Sequence, residues 1–256
     1  MNNDIIYKYI NKEDGMKVLE NNTLKFSTPF DFNDPFDCSL KLLSFNNIPE
    51  NLIKEHIDKG ILVLEDGDEK LSYKELAQKA DSIYNEEIMK EILKNLKEDL
   101  WISCFSKKND EILMWSHYAK GHTGFCIGFN IGGLSETMEF ILSKVKYKDQ
   151  FNKIDFFNDQ KKALENWISI KSTKWSYESE VRLRTNSTRT DLDNSGITKI
   201  AKESISEIYI GYKTELNDHE KEVLNTYEGK TKIVKMFPDE YSFQLNETEF
   251  NANRKQ

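Results

Sequence analysis

Apolar and polar positions follow two different rhythms along this chain. Short runs with a period near two read as strands: IIYKYI (5–10), LKFSTP (24–29, stopped by Pro29), WISCFS (101–106) and GFCIGFNI (124–131). SKVKYKD (143–149), EVRLRT (180–185), SEIYIGYK (206–213) and KTKIVKMFP (230–238) share that rhythm, the last closing the sheet. A helical period marks 12–21, 111–119, 156–172 and 217–228, the last capped by Asn217 or Asp218. The run FDFNDPFD reads as a loop, because Pro35 pushes Asp34 out of the helical region and Asn-Asp-Pro is turn chemistry.

Residues 50–100 break this pattern. Apolar Leu76, Ala80, Ile83, Met89, Leu93 and Leu96 recur at helical spacing with charge on the other face, so a helical insertion is expected there. No repeat and no Pro/Gly/Ser linker interrupts the chain, so residues 1–256 are expected to form a single domain carrying that insertion. Strands outnumber helices and their connections are often short. The fold class is therefore α+β, with a mixed, mostly antiparallel sheet core.

Composition narrows the function. A net charge of −8 argues against general electrostatic grip on nucleic acid, though a local basic patch stays open. No apolar run approaches the ~20 residues of a membrane span. With no signal peptide at the N-terminus and three cysteines, no membrane association is expected, and a cytoplasmic setting is. Phosphate-binding P-loop and GxGxxG signatures, nucleophile elbows and HExxH are missing from the sequence.

Four clusters carry candidate chemistry. Cys104, His117, His122 and Cys126 superficially fit a zinc site, but the cysteines lie in apolar strands and the histidines are five apart, so no metal is assigned. Trp115, Ser116, His117 and Tyr118 place flat rings with polar tips in one turn, which suits either stacking on a base or nicotinamide ring or a core plug. Asn33 and Asp34 either bond their own turn or shape a ligand loop. The sharpest cluster is WSYESEVRL. If 177–184 is extended, Glu178, Glu180 and Arg182 share one face, opposite Tyr177, Ser179, Val181 and Leu183. That face is either a site with two carboxylates in different roles or an exposed charge ladder on a sheet edge.

The ordered set YKY, LKFSTPFDFNDPFD, CFS, LMWSHYAKGHTGFCIGF, VKYKD, KW-YESEVRL and IYIG resembles a bacterial family known as domain of unknown function 2971. A second resemblance supplies chemistry. ADP-ribosyltransferases build an NAD site from an early strand bearing Arg or His, a following Ser-Thr-Ser or Tyr element, and a late catalytic Glu. YKY (7–9), FSTP (26–29) and YESE (177–180) occur in that order, with Tyr-Lys-Tyr where Arg or His is expected.

This second resemblance implies an ADP-ribosyltransferase-like sheet with NAD as substrate, Glu180 as the catalytic carboxylate and Glu178 orienting the acceptor. Ser27 would support the NAD ribose, and Tyr7, Tyr9 or Trp115 would stack on nicotinamide. Asn33, Asp34, His117 and Tyr118 would line the cofactor pocket. It further implies a bacterial conflict or phage-defence effector, a toxin modifying nucleic acid or protein, with an antidote or partner protein. Two alternatives stand beside it. One is a non-catalytic nucleotide- or peptide-binding sensor. The other is a metal-dependent hydrolase or nuclease drawing on Glu178, Glu180, Asp34 and His117.

Overall fold

The computed structural model describes residues 4–45, 48–79, 90, 91, 94, 95, 100–186 and 190–250. Among them the strands, in chain order, are β1 (Ile5–Ile10), β2 (Thr23–Lys25), β3 (Leu43–Ser44), β4 (Trp101–Ser106), β5 (Phe125–Asn130), β6 (Ile141–Lys144), β7 (Lys146–Lys148), β8 (Ile154–Asp155), β9 (Ile170–Ser172), β10 (Glu180–Thr185), β11 (Ile197–Lys199), β12 (Ile205–Ile210), β13 (Lys232–Pro238) and β14 (Leu245–Glu249). The α-helices are α1 (Lys12–Asn21), α2 (Glu50–Asp58), α3 (Tyr73–Lys79), α4 (Ile112–His117), α5 (Ile131–Ser135), α6 (Gln160–Ser169) and α7 (Asp218–Asn225). None of these is long and apolar enough to cross a membrane.

The chain divides into two compact units. One comprises residues 1–28, 100–145 and 174–256; the other comprises 29–99 and 146–173. The first holds an eight-stranded sheet in the order β14-β13-β12-β5-β1-β4-β10-β6. Its neighbours pair antiparallel except β12 and β13, which run parallel. The fold is α+β with a mixed, mostly antiparallel sheet. One sheet face is closed by a core that includes Ile6, Met16, Leu19, Phe105, Phe125, Phe129, Val181, Leu183 and Leu224. Each such side chain taken out of water contributes about 1.5–3 kcal/mol. Helices α1 and α7 supply their apolar stripes to it, and α7 starts with a capping box between Asn217 and Glu220.

The second unit holds α2, α3, α6 and two short parallel pairs, β3 with β8 and β7 with β9. Ile48, Ile53 and Leu76 form one small apolar cluster in it, and Leu43, Phe45 and Trp167 are buried there as well. The helical insertion expected over 50–100 is thus present in α2 and α3, while Ala80, Ile83, Met89, Leu93 and Leu96 lie outside the described residues.

Several expected boundaries move for tertiary reasons. The strand expected over 24–29 stops at Lys25, and Ser27 makes only an isolated bridge with Ile102. The helix expected over 156–172 yields at Ile170 to β9, where pairing with β7 overrides helical periodicity. The stretch 143–149 splits at Val145, whose N–H is taken by the Glu180 carbonyl at 3.1 Å. The strand at 230–238 does not close the sheet, because β14 adds a further edge.

Candidate functional site

The site is built on the sheet face opposite the main core. Strand register decides it, because directly paired residues project side by side. Glu207 of β12 pairs with Gly128 of β5, Gly128 with Tyr7 of β1, Tyr7 with Ser106 of β4, and Ser106 with Glu180 of β10. One row therefore crosses five neighbouring strands. The next row on the same face contains Tyr209, Cys126 and Tyr9, with Cys104 beside Arg182.

At one end of the row the buried Glu180 carboxylate meets the fully buried Arg182 guanidinium, Nε to Oε1 at 2.7 Å and Nη2 to Oε2 at 3.2 Å. A period of two on β10 puts these two on one face while Val181 and Leu183 enter the core on the other. The exposed ladder on a sheet edge is excluded: β10 lies between β4 and β6. Burial, and next the Glu180 carboxylate, push the neighbouring Cys104 thiol well above its ordinary range.

Glu178 departs from the extended pattern. Residues Thr173–Glu178 form a 3-10 turn and Ser179 takes φ +46°, so the strand begins only at Glu180. Glu178 is nevertheless buried, and the Tyr118 hydroxyl donates to its Oε1 at 2.6 Å. Beside that contact the Tyr177 hydroxyl lies 3.1 Å from His117 Nδ1. The end of α4 is thereby joined to the residues just before β10.

Tyr7 leans away from Glu180. Its hydroxyl donates to Glu207 Oε2 at 3.0 Å, and Tyr209 donates to the same oxygen at 2.7 Å. The ring crosses over Gly128, where a Cβ would lie 3.1 Å from Tyr7 Cε1 and 3.0 Å from Glu207 Cβ. Burial first, then the Glu207 charge, raise the Tyr7 phenol above its ordinary range. Glu207 was missed in the sequence, although the period of two in SEIYIG would have paired it with Tyr209.

Lys8 is the other residue that sequence reasoning passed over. β1 and β4 diverge beyond Tyr7–Ser106, and Lys8 Nζ fills the seam, donating to Ser103 Oγ at 3.0 Å and the Cys104 carbonyl at 3.1 Å. Burial lowers its pKa, while Cys104 and Glu180 oppose that shift.

The remaining expected residues fall in different places. Tyr9 is buried, donates to the Lys108 carbonyl at 2.9 Å and meets Trp115 edge-on with centroids 5.4 Å apart. Trp115 is fully buried, its Nε1 donating to the Asn109 carbonyl and its ring stacked against His122. It therefore offers no open face for stacking. Ser27 sits opposite Ile102, four residues along β4 from Ser106 and so roughly 13 Å from the Glu180 row. Asn33 and Asp34 belong to the other compact unit. There Asp34 Oδ1 accepts from the Phe36 N–H at 2.9 Å, the turn-forming role open to it from the sequence.

His117 and Tyr118 face an open cleft of about 1040 Å³, whose walls include Lys12, Lys120, Lys213 and Glu220. Tyr118 thus touches both the cleft and Glu178. Among the described residues, no group of three or more His, Cys, Asp or Glu side chains could hold a metal ion.

Residues 114–183 match the family model described as "Protein of unknown function (DUF2971)", the family that the ordered motifs resemble. This span includes α4, β5 and the Glu178–Glu180–Arg182 segment. No curated protein and no solved structure matches the chain.

Proposed function

We propose that this chain is an NAD-cleaving, ADP-ribosyltransferase-like enzyme centred on Glu180. In the reaction the bond between nicotinamide and ribose C1′ breaks with its electron pair leaving on nicotinamide. An acceptor hydroxyl or nitrogen then bonds C1′ and loses a proton. A fixed carboxylate beside C1′ stabilises the positive charge that develops on the sugar, as in glycoside cleavage. Glu178, held by Tyr118, is assigned to orient the acceptor.

The observation that carries this reading is the shared row. Tyr7 and Glu180, far apart in sequence, stand on one sheet face with only Ser106 between them. Supporting it, the cleft reached by His117 and Tyr118 is large enough for a dinucleotide, with Lys120 and Lys213 available to a pyrophosphate on walls that also carry Glu13, Glu20, Glu215 and Glu220. Trp115, Ser27, Asn33 and Asp34 are left out of this assignment.

The test is nicotinamide release from NAD by the full chain, with and without single-stranded DNA, RNA or a protein mixture as acceptor. Glu180→Gln should lower release by about 10²–10³-fold, the usual cost of losing one charge-stabilising group. A wild-type chain that releases no nicotinamide and gains no thermal stability from NAD would sink the reading. Stabilisation by NAD without turnover would instead favour a sensor.

A further inference from the structure

The far edge of the large sheet lies at the opposite end of the row from Glu180, where Lys232 of β13 pairs in register with Glu207. β14 is the terminal strand, with every residue after Leu245 exposed. Asp239–Gln244 and Ile233–Phe250 are both hydrogen-bonded positions of the β13–β14 ladder, with N–H donors 2.9 and 3.1 Å from their acceptors. Such positions alternate along an antiparallel pair. The N–H and C=O groups of Leu245, Glu247 and Glu249 therefore point outward from the sheet, as a template for another strand.

The turn that precedes β14 is held firmly. Asp239 Oδ1 accepts from the N–H groups of Tyr241 and Ser242 at 2.8 and 2.7 Å, and Oδ2 accepts from Asn246 Nδ2 at 2.7 Å. This rigid turn projects Tyr241 and Phe243 into solvent, 94% and 99% exposed. Behind it lies a cleft of about 410 Å³ lined by Ile112, His122, Tyr212, Tyr241 and Leu245. The segment 238–250 contains Asp239, Glu240, Glu247 and Glu249 and no Lys or Arg, and Glu247 is ion-paired with Lys232 of β13.

We propose that β14 and the 239–244 turn dock an extended, Lys/Arg-rich segment of a partner protein, which adds as a strand to the β14 edge. Backbone pairing supplies affinity in this mode, and alternate side chains supply selectivity. Leu245, Glu247 and Glu249 share one face by the period of two. Basic residues at alternate positions of the added strand would lie across from the two glutamates, and an apolar residue would reach the cleft beside Leu245. Charge decides the occupant. A second copy pairing through β14 would oppose Glu247 and Glu249 with the same residues, and nucleic acid or an anionic membrane would meet four carboxylates, of which Glu247 is paired with Lys232.

The test is fluorescence anisotropy on the full chain, using a labelled ten-residue peptide that alternates lysine with valine and a control that alternates glutamate with valine. The lysine peptide should bind and weaken as salt rises, and the glutamate peptide should not bind. Glu247→Pro removes an outward N–H while sparing the β13 ladder, and should weaken binding about tenfold or more, as should the Tyr241→Ala/Phe243→Ala pair. Should the proline variant not fold, Glu247→Lys/Glu249→Lys should reverse the preference between the two peptides. No binding of the lysine peptide, equal binding of both, or indifference to these variants overturns the proposal. Self-association in sedimentation that Glu247→Pro abolishes overturns it in favour of a second copy. The readout is binding, so its failure is distinguishable from failure of NAD cleavage.

Discussion

Glu180 and Arg182 stand two residues apart on β10 and pair through both nitrogen–oxygen contacts of a fork, at 2.7 and 3.2 Å, with essentially no exposure to water. Removing one member leaves the other charge buried. Arg182→Met is expected to cost about 3–5 kcal/mol of stability, the range for a broken buried pair. Replacing both, Glu180→Leu with Arg182→Met, should cost less than Arg182→Met alone. Urea denaturation of the three proteins checks the order, and a double variant weaker than the single one contradicts it.

Tyr118 to Glu178 is a short contact between a phenol and a buried carboxylate. Tyr118→Phe should destabilise the chain by roughly 1–3 kcal/mol, the cost of leaving a buried acceptor short of a partner. In a double-mutant cycle with Glu178→Gln the coupling should fall within about 0.5–3 kcal/mol. Coupling near zero would mean that the bond contributes nothing.

Two glycines on β5 or at its start differ in what surrounds them. A Cβ at Gly124 would lie 2.2 Å from the Ile10 carbonyl oxygen, which is backbone and cannot move aside. At Gly128 the nearest atoms are 3.0–3.1 Å away, all in side chains. Gly124→Ala should therefore be the more damaging change. Gly128→Ala should cost about 1–3 kcal/mol by overpacking and should loosen Tyr7 from Glu207. Thermal melts of the two variants test the ranking, and the reverse order would refute it.

Alkaline pH tests the phenols. Burial, reinforced by Glu207 at Tyr7 and Tyr209, holds Tyr7, Tyr9 and Tyr209 well above the ordinary 10, and burial pushes Tyr227 up to about 12. A raised folded-state pKa gives stability that is complete below pH 10 and is lost as pH rises through the folded value. Stability should therefore begin to fall above pH 10. Absorbance at the tyrosinate band should show fewer than the eleven tyrosines ionised in the folded chain at pH 11. Ionisation of all eleven before unfolding would contradict the burial assigned to these rings.

Much of the framework was legible along the chain. β1, β4, β5, β10, α1 and α7 follow local periodicity and capping, because each buries one face against a single core. Glu180 and Arg182 could be placed together from the period of two alone. Glu178 could not, because Ser179 adopts φ +46° and breaks the alternation one residue before the strand. Trp115 could be read as either plug or platform, and only packing between Tyr9 and His122 settled its burial.

What the sequence determined by itself is the α+β class, the motifs that resemble the matched family and the pairing of charges within β10, since all three depend on residues near one another in the chain. What only the tertiary structure decided is the row Glu207–Gly128–Tyr7–Ser106–Glu180 and the distance of Ser27 from it. Those depend on strand order and register, which are set by contacts between segments up to two hundred residues apart. A one-residue slip in any of those pairings would turn the affected strand's side chains to the opposite face, and local periodicity carries no information about that choice.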